Sequence, residues 1–77
     1  MNKDDWIPCD VELPESNDEY LVTWVGKIGM DSTFRGLEIL EYDCDYGWIT
    51  NEIEARGYYN VEVTAWMELP ERYIEEE

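Results

Sequence analysis

Histidine is absent from this 77-residue chain, and lysine plus arginine number only five. Without histidine no side chain has an ordinary pKa suited to trading protons near neutrality, and neither a Ser-His-Asp nor a Cys-His set can be assembled. Zinc finds too few ligands, since Cys9 and Cys44 are the sole thiols. The cations Lys3, Lys27, Arg35, Arg56 and Arg72 are too few and too scattered to follow a phosphate backbone, which argues against direct nucleic-acid binding. No apolar run approaches the about 20 residues that cross a bilayer. No apolar leader follows Met1, so a cytoplasmic setting with both thiols reduced, away from any membrane, is expected. No cofactor and no metal are expected. Carboxylate pairs are abundant enough for glycosidase-type chemistry, but a sheet of this size has little room for a sugar cleft, so no catalytic residue is assigned.

What is present is acid and aromatic. Asp and Glu number 20, which gives a net charge of −15, while 44% of the residues are hydrophobic. Acidity of that order often signals disorder. Here four Trp, six Tyr and Phe34 can each bury about 150–250 Å², enough to build a core without disulfides or metal. The length allows one domain, residues 1–77.

Alternating apolar and β-branched residues make the fold class mainly β: a small antiparallel sheet of about four strands, with extended arms at both ends. The strands are expected at residues 20–26, 35–43, 46–50 and 58–67. Tyr20, Val22 and Trp24 share one face of the first, while in the second Leu37 and Ile39 are expected in the core and Glu38 outside. Residues 27–34 read as a loop and 43–48 as a turn around Gly47. Residues 51–57 fit either a short helical turn or an exposed loop, so an α+β fold with one short helix is the alternative. Residues 1–19 read as an irregular arm pinned by Trp6, Val11 and Leu13, and 71–77 as a frayed helical turn.

The phrase Glu-Leu-Pro-Glu occurs twice, at residues 12–15 and 68–71, and each copy trails a tryptophan, Trp6 or Trp66. Proline fixes φ and shortens the list of unfolded conformations. Both ends are therefore expected to flank one sheet, with Leu13 and Leu69 laid on its apolar surface; a linear peptide motif for a partner is the alternative. "WIPCDVELPE", "YLVTW" and "VTAWMELPE" together resemble the DUF551 family, small proteins of unknown function common in phages. Two positions depart from the family pattern, with Ala65 where histidine is usual and Glu68 where proline is usual. The resemblance implies a phage-type accessory protein, working in the cytoplasm of the host cell, and implies no activity.

The acids carry the functional expectation. "DCDYG" at 43–47 starts like a calcium loop, but Ile53 stands where the bidentate glutamate would fall, so a turn is the better reading. Glu38, Glu41, Asp43, Asp45, Glu52, Glu54 and Glu62 are expected to share an acidic exterior. Three roles fit such a surface: solubility alone, attraction of a basic host protein, or imitation of nucleic acid. Carboxylates two apart on a strand stand about 6.6 Å apart. Phosphates advance about 3.4 Å per residue along a strand, so rows of acids can approximate that field. The expectation is a non-enzymatic protein that binds a basic host partner; its sharpest form is a nucleic-acid mimic that inhibits a nuclease of bacterial defence, in the manner of an anti-CRISPR protein. The alternative is a phage accessory or structural module with an aromatic interface at Trp24, Trp48 or Tyr58. The sequence leaves the oligomeric state open.

Overall fold

A computed structural model describes residues 6–70. In chain order the elements are β1 (Ile7–Pro8), β2 (Asp18–Ile28), β3 (Ser32–Asp43), β4 (Gly47–Trp48), α1 (Asn51–Ala55) and β5 (Tyr59–Glu68). The strands form one five-stranded antiparallel sheet in the order β1-β5-β2-β3-β4. The mainly β expectation therefore holds, and residues 51–55 resolve to the short helix. The expected helical turn at 71–77 lies outside the described residues.

β2 and β3 form a hairpin whose ladder runs without interruption from Asp18↔Tyr42 to Ile28↔Ser32. The loop expected over 27–34 is instead a three-residue turn, Gly29-Met30-Asp31. Gly29 and Asp31 take left-handed φ values of 64° and 69°, which reverse the chain with no further residues. Tyr59 braces this turn: its hydroxyl donates to Asp31 Oδ1 at 3.0 Å and accepts from the Asp31 N–H at 3.2 Å.

The core lies on one face of the sheet. Tyr20, Val22 and Trp24 of β2 pack there with Leu40 and Tyr42 of β3, Val63 and Trp66 of β5, and the wholly buried Ile53 of α1. Edge-to-face contacts join Tyr20 to Trp48 and Trp66, Trp48 to Tyr42, and Trp24 to Tyr58. Aromatic pairs in such geometry contribute about 0.5–1.5 kcal/mol beyond their buried area. β5 reaches the core with Val63 and also with Trp66, three residues on. Thr64 makes this possible. The ladder shifts from Thr23↔Ala65 to Trp24↔Val63, leaving Thr64 as the extra residue of a bulge that resets the alternation.

β3 corrects the sequence expectation. Leu37 and Ile39 are 60% and 53% exposed, on the face away from the core. Register decides this: Leu37 pairs with Thr23 and Ile39 with Leu21, while Leu40 and Gly36 pair with the core residues Tyr20 and Trp24. Glu38 accordingly falls on the core side, half-buried.

The two ends do meet on one sheet edge. β1 pairs with β5 through Ile7↔Trp66 and Pro8↔Ala65, an edge position where a missing N–H costs the ladder little. Cys9 N–H donates to the Thr64 carbonyl, and Trp66 Nε1 donates to the Glu12 carbonyl at 2.9 Å. The side chains chosen differ from expectation. Pro14 is buried, whereas Val11 is 74% and Leu13 47% exposed.

Candidate functional site

One end of the sheet collects acid. β2 begins there with Asp18 and Glu19, β3 ends there with Glu41 and Asp43, and β5 ends there with Glu68 opposite Tyr20. Glu19 pairs directly with Glu41 across the ladder. Side chains so placed have Cβ atoms about 4.5–5.5 Å apart, and like charges in that arrangement oppose folding. A shallow concavity of about 290 Å³ is lined by Glu19, Glu41 and Glu52 together with Ile39 and Ile49. Asp45 is exposed in the following turn. That turn is held by Asp43, whose Oδ1 accepts from the N–H groups of Asp45 at 2.8 Å and Tyr46 at 3.2 Å. The Cys44 N–H donates to Asn17 Oδ1 at 2.8 Å, tying the turn to the chain ahead of β2.

Cations sit elsewhere. Lys27 lies beside the β2–β3 turn, 3.9 Å from Asp31, and Arg35 lies toward the same turn on β3. Arg56 follows α1 and donates to Glu38 Oε1 at 3.1 Å. Its Nε also donates to the Glu52 backbone carbonyl at 3.3 Å, so Arg56 borders the acidic end, but no described cation forms an ion pair with a carboxylate of that end.

Of the residues expected to share an acidic exterior, Glu41, Asp43, Asp45 and Glu52 are brought to this end. Glu54 is exposed on α1. Glu62 pairs with Val25, near Arg35 and remote from Glu41, so it belongs to the opposite end of the outer face. Glu38 leaves the set: it lies on the core side and is matched by Arg56. The single acidic face expected from strand alternation is thus an acidic end. Asp18, Glu19 and Glu68 were missed as members. The register of the β2–β3 hairpin would have placed Glu19 against Glu41 had the three-residue turn been recognised.

No trio of Asp, Glu or Cys among the described residues is arranged to hold a metal ion. Cys9 and Cys44 are both free. Burial pushes the Cys9 thiol above its ordinary pKa, with Asp10 and Glu62 adding to the effect and Trp48 partly offsetting it. The Trp48 indole N–H nonetheless has no partner at hydrogen-bonding geometry, so its influence on that sulfur is weak. No helix among the described residues is long and apolar enough to cross a membrane.

No curated protein and no solved structure matches the chain. The family model described as "Protein of unknown function (DUF551)" matches residues 5–72. Covering most of the chain and both of its tryptophan-proline ends, that match places the protein in the DUF551 family.

Proposed function

We propose that this protein is a non-enzymatic binder whose acidic end docks on a basic surface of a partner protein. The observation that carries the reading is the segregation of charge. Asp18, Glu19, Glu41, Asp43, Asp45, Glu52 and Glu68 gather at one end; Lys27 and Arg35 lie at the other end of β2 and β3, and Arg56, which borders the acidic end at α1, is engaged by Glu38. A surface that served solubility alone would gain by interspersing the two signs. Concentrating one sign instead produces a directional field, which accelerates encounter with a positive partner and orients it.

The finer form of the proposal is imitation of nucleic acid. Strand geometry sets carboxylates two apart on one strand about 6.6 Å from each other, a spacing from which rows of acids can approximate the field of a phosphate backbone. The phage setting that the family resemblance implies makes a nuclease of bacterial defence the natural target class, the role of an anti-CRISPR protein. The host cytoplasm would then be the site of action. An interface built on Trp24, Trp48 or Tyr58 has less support, because Trp24 is 3% exposed and Trp48 and Tyr58 pack against the core.

Competition tests the proposal. A basic nucleic-acid-binding partner should release labelled duplex when the wild-type protein is added, and Asp45→Lys/Glu52→Lys should not compete. Equal competition by both proteins would overturn it.

A further inference from the structure

β4 covers only part of the β3 edge. It pairs with Tyr42 and Asp43, and the Ile49 N–H donates to the Glu41 carbonyl at 2.9 Å before the chain turns into α1. That bond, with the one from the Tyr46 N–H to the Asp43 carbonyl, fixes how β3 is turned. Its odd-numbered residues aim N–H and C=O away from β2. Thr33, Arg35, Leu37 and Ile39 therefore present both backbone groups on an edge that no described strand pairs with, and all four are exposed. Natural edges are commonly blunted by proline, lysine or a bulge. None of these occurs between Ser32 and Ile39, and the ladder behind them is uninterrupted. The free stretch of β5 differs, because Asn60 has a left-handed φ of 52° and the strand bulges at Thr64.

This open edge runs into the acidic concavity. Glu19, Glu41 and Glu52 line that recess with Ile39 and Ile49, so it begins where the unpaired edge stops. The two features together describe one ligand. Unpaired backbone groups along an edge bind an extended chain. A recess of isoleucine and carboxylate takes a long cationic side chain, its methylenes on the apolar atoms and its head among the acids. We propose that the β3 edge from Thr33 to Ile39 binds an extended segment of the basic partner as an added antiparallel strand. A lysine or arginine of that segment fills the concavity. The inference rests on the acidic end being a docking site and adds how the partner docks.

The register follows from the edge. In antiparallel pairing each odd residue of β3 exchanges both bonds with the residue opposite, whose side chain lies on the same face. The residue opposite Ile39 thus stands on the outer face, and a long side chain there reaches Glu41 along the diagonal, about 7–8 Å away. Ile49 already occupies the place beside Glu41, so the added strand ends at Ile39. From Thr33 to Ile39 it spans about 20 Å. An apolar residue fits opposite Leu37. A second copy of β3 does not suit the opening: the strand is 12 residues long and overruns it into Ile49, and a chain of net charge −15 repels its copy.

Titration of the isotope-labelled full chain with the peptide Arg-Thr-Val-Thr-Val-Thr-Thr, acetylated and amidated, tests the inference by nuclear magnetic resonance. Its arginine is designed to lie opposite Ile39 and its first valine opposite Leu37. The amide signals of Arg35, Leu37 and Ile39 should shift and gain protection from exchange. N-methylation of the first, third and fifth peptide residues removes the donors aimed at β3 and should weaken binding at least about tenfold. N-methylation of the second, fourth and sixth, whose N–H groups point away, should leave binding unchanged. Norleucine in place of the arginine should weaken it about tenfold. In the protein, Leu37→Pro removes an N–H that β2 does not use and should abolish binding with the fold kept. No binding up to millimolar peptide, or equal binding of the two N-methylated peptides, overturns the inference. Duplex competition by the wild-type protein reads the acidic end separately, so the two failures are distinguishable. Protection of the edge amides that rises with protein concentration, without peptide, assigns the edge to a second copy and likewise overturns it.

Discussion

The indole of Trp24 lies flat over Gly36, its cross-strand neighbour, so closely that a Cβ on Gly36 would stand 2.6 Å from the ring nitrogen. No side chain fits there, and the ring completes the cover beside Phe34, tilted at a centroid distance of 5.6 Å, and Tyr58, edge-to-face at 5.0 Å. The missing side chain on β3 is thus replaced by an aromatic from β2. Gly36→Ala should force the indole out and cost about 1–3 kcal/mol, read as a lower denaturation midpoint with a shift in tryptophan emission. Unchanged stability and emission would mean that the ring is not seated on that glycine.

The pair Glu19–Glu41 opposes folding within one chain. Glu41→Gln should therefore raise stability by about 0.2–1 kcal/mol, measured as a higher denaturation midpoint. A gain in stability at that position combined with weaker binding of a basic partner is the trade-off expected where charge is kept for function.

Glu38 behaves in the opposite way. It is held by Arg56 on the core side, with the two side chains 27% and 51% exposed. An ion pair so open to water contributes less than about 1 kcal/mol. Glu38→Gln should lower stability by no more than that and should leave partner binding untouched, whereas Glu52→Gln should weaken binding with little effect on the fold.

The ends of the chain give a graded test. Trp66→Phe keeps a buried ring but removes the donor to the Glu12 carbonyl, and should cost about 1 kcal/mol. Trp66→Ala empties the core and should cost about 3–5 kcal/mol. Leu13→Ala, at a half-exposed position, should cost less than about 1 kcal/mol. A large loss at Leu13 would contradict the arrangement in which Pro14, rather than Leu13, is inserted.

The two thiols should separate by reactivity. Cys44 is exposed, whereas Cys9 is half-buried with a raised pKa, so alkylation near neutral pH should mark Cys44 first. Folding favours the protonated Cys9 thiol. Its contribution to stability is full below the unfolded-state pKa and is lost as pH rises through the folded-state value. Replacing Cys9 with Ser should therefore flatten the alkaline limb of the stability profile.

Much of the fold was legible in the residues. The shared face of Tyr20, Val22 and Trp24 follows from alternation alone, and the arms at both ends were readable from their prolines. Alternation failed on β3 because it says which residues share a face, not which face is the core. Leu37 and Ile39 have the hydropathy of core residues, but the register set by the Gly29–Asp31 turn aligns them with Thr23 and Leu21. That turn was hidden because Asp31, not a second glycine, takes the left-handed φ. The bulge at Thr64, which sends Trp66 inward, carries no glycine or proline to announce it. The acidic site was half legible for the same reason. The acids on the β3–β4 turn were found from sequence proximity, and Glu19 required the register.

The most direct test of the account measures the affinity of the acidic end for a basic partner as a function of salt. Proteins captured from a bacterial lysate by the immobilised wild type, and released by duplex DNA, supply the partner. Its dissociation constant is then determined at low and moderate ionic strength for wild type and for Asp45→Lys/Glu52→Lys. The account predicts binding that weakens steeply with salt and falls at least about tenfold in the charge-reversed protein. Binding of equal strength by both proteins, flat across that salt range, would contradict it.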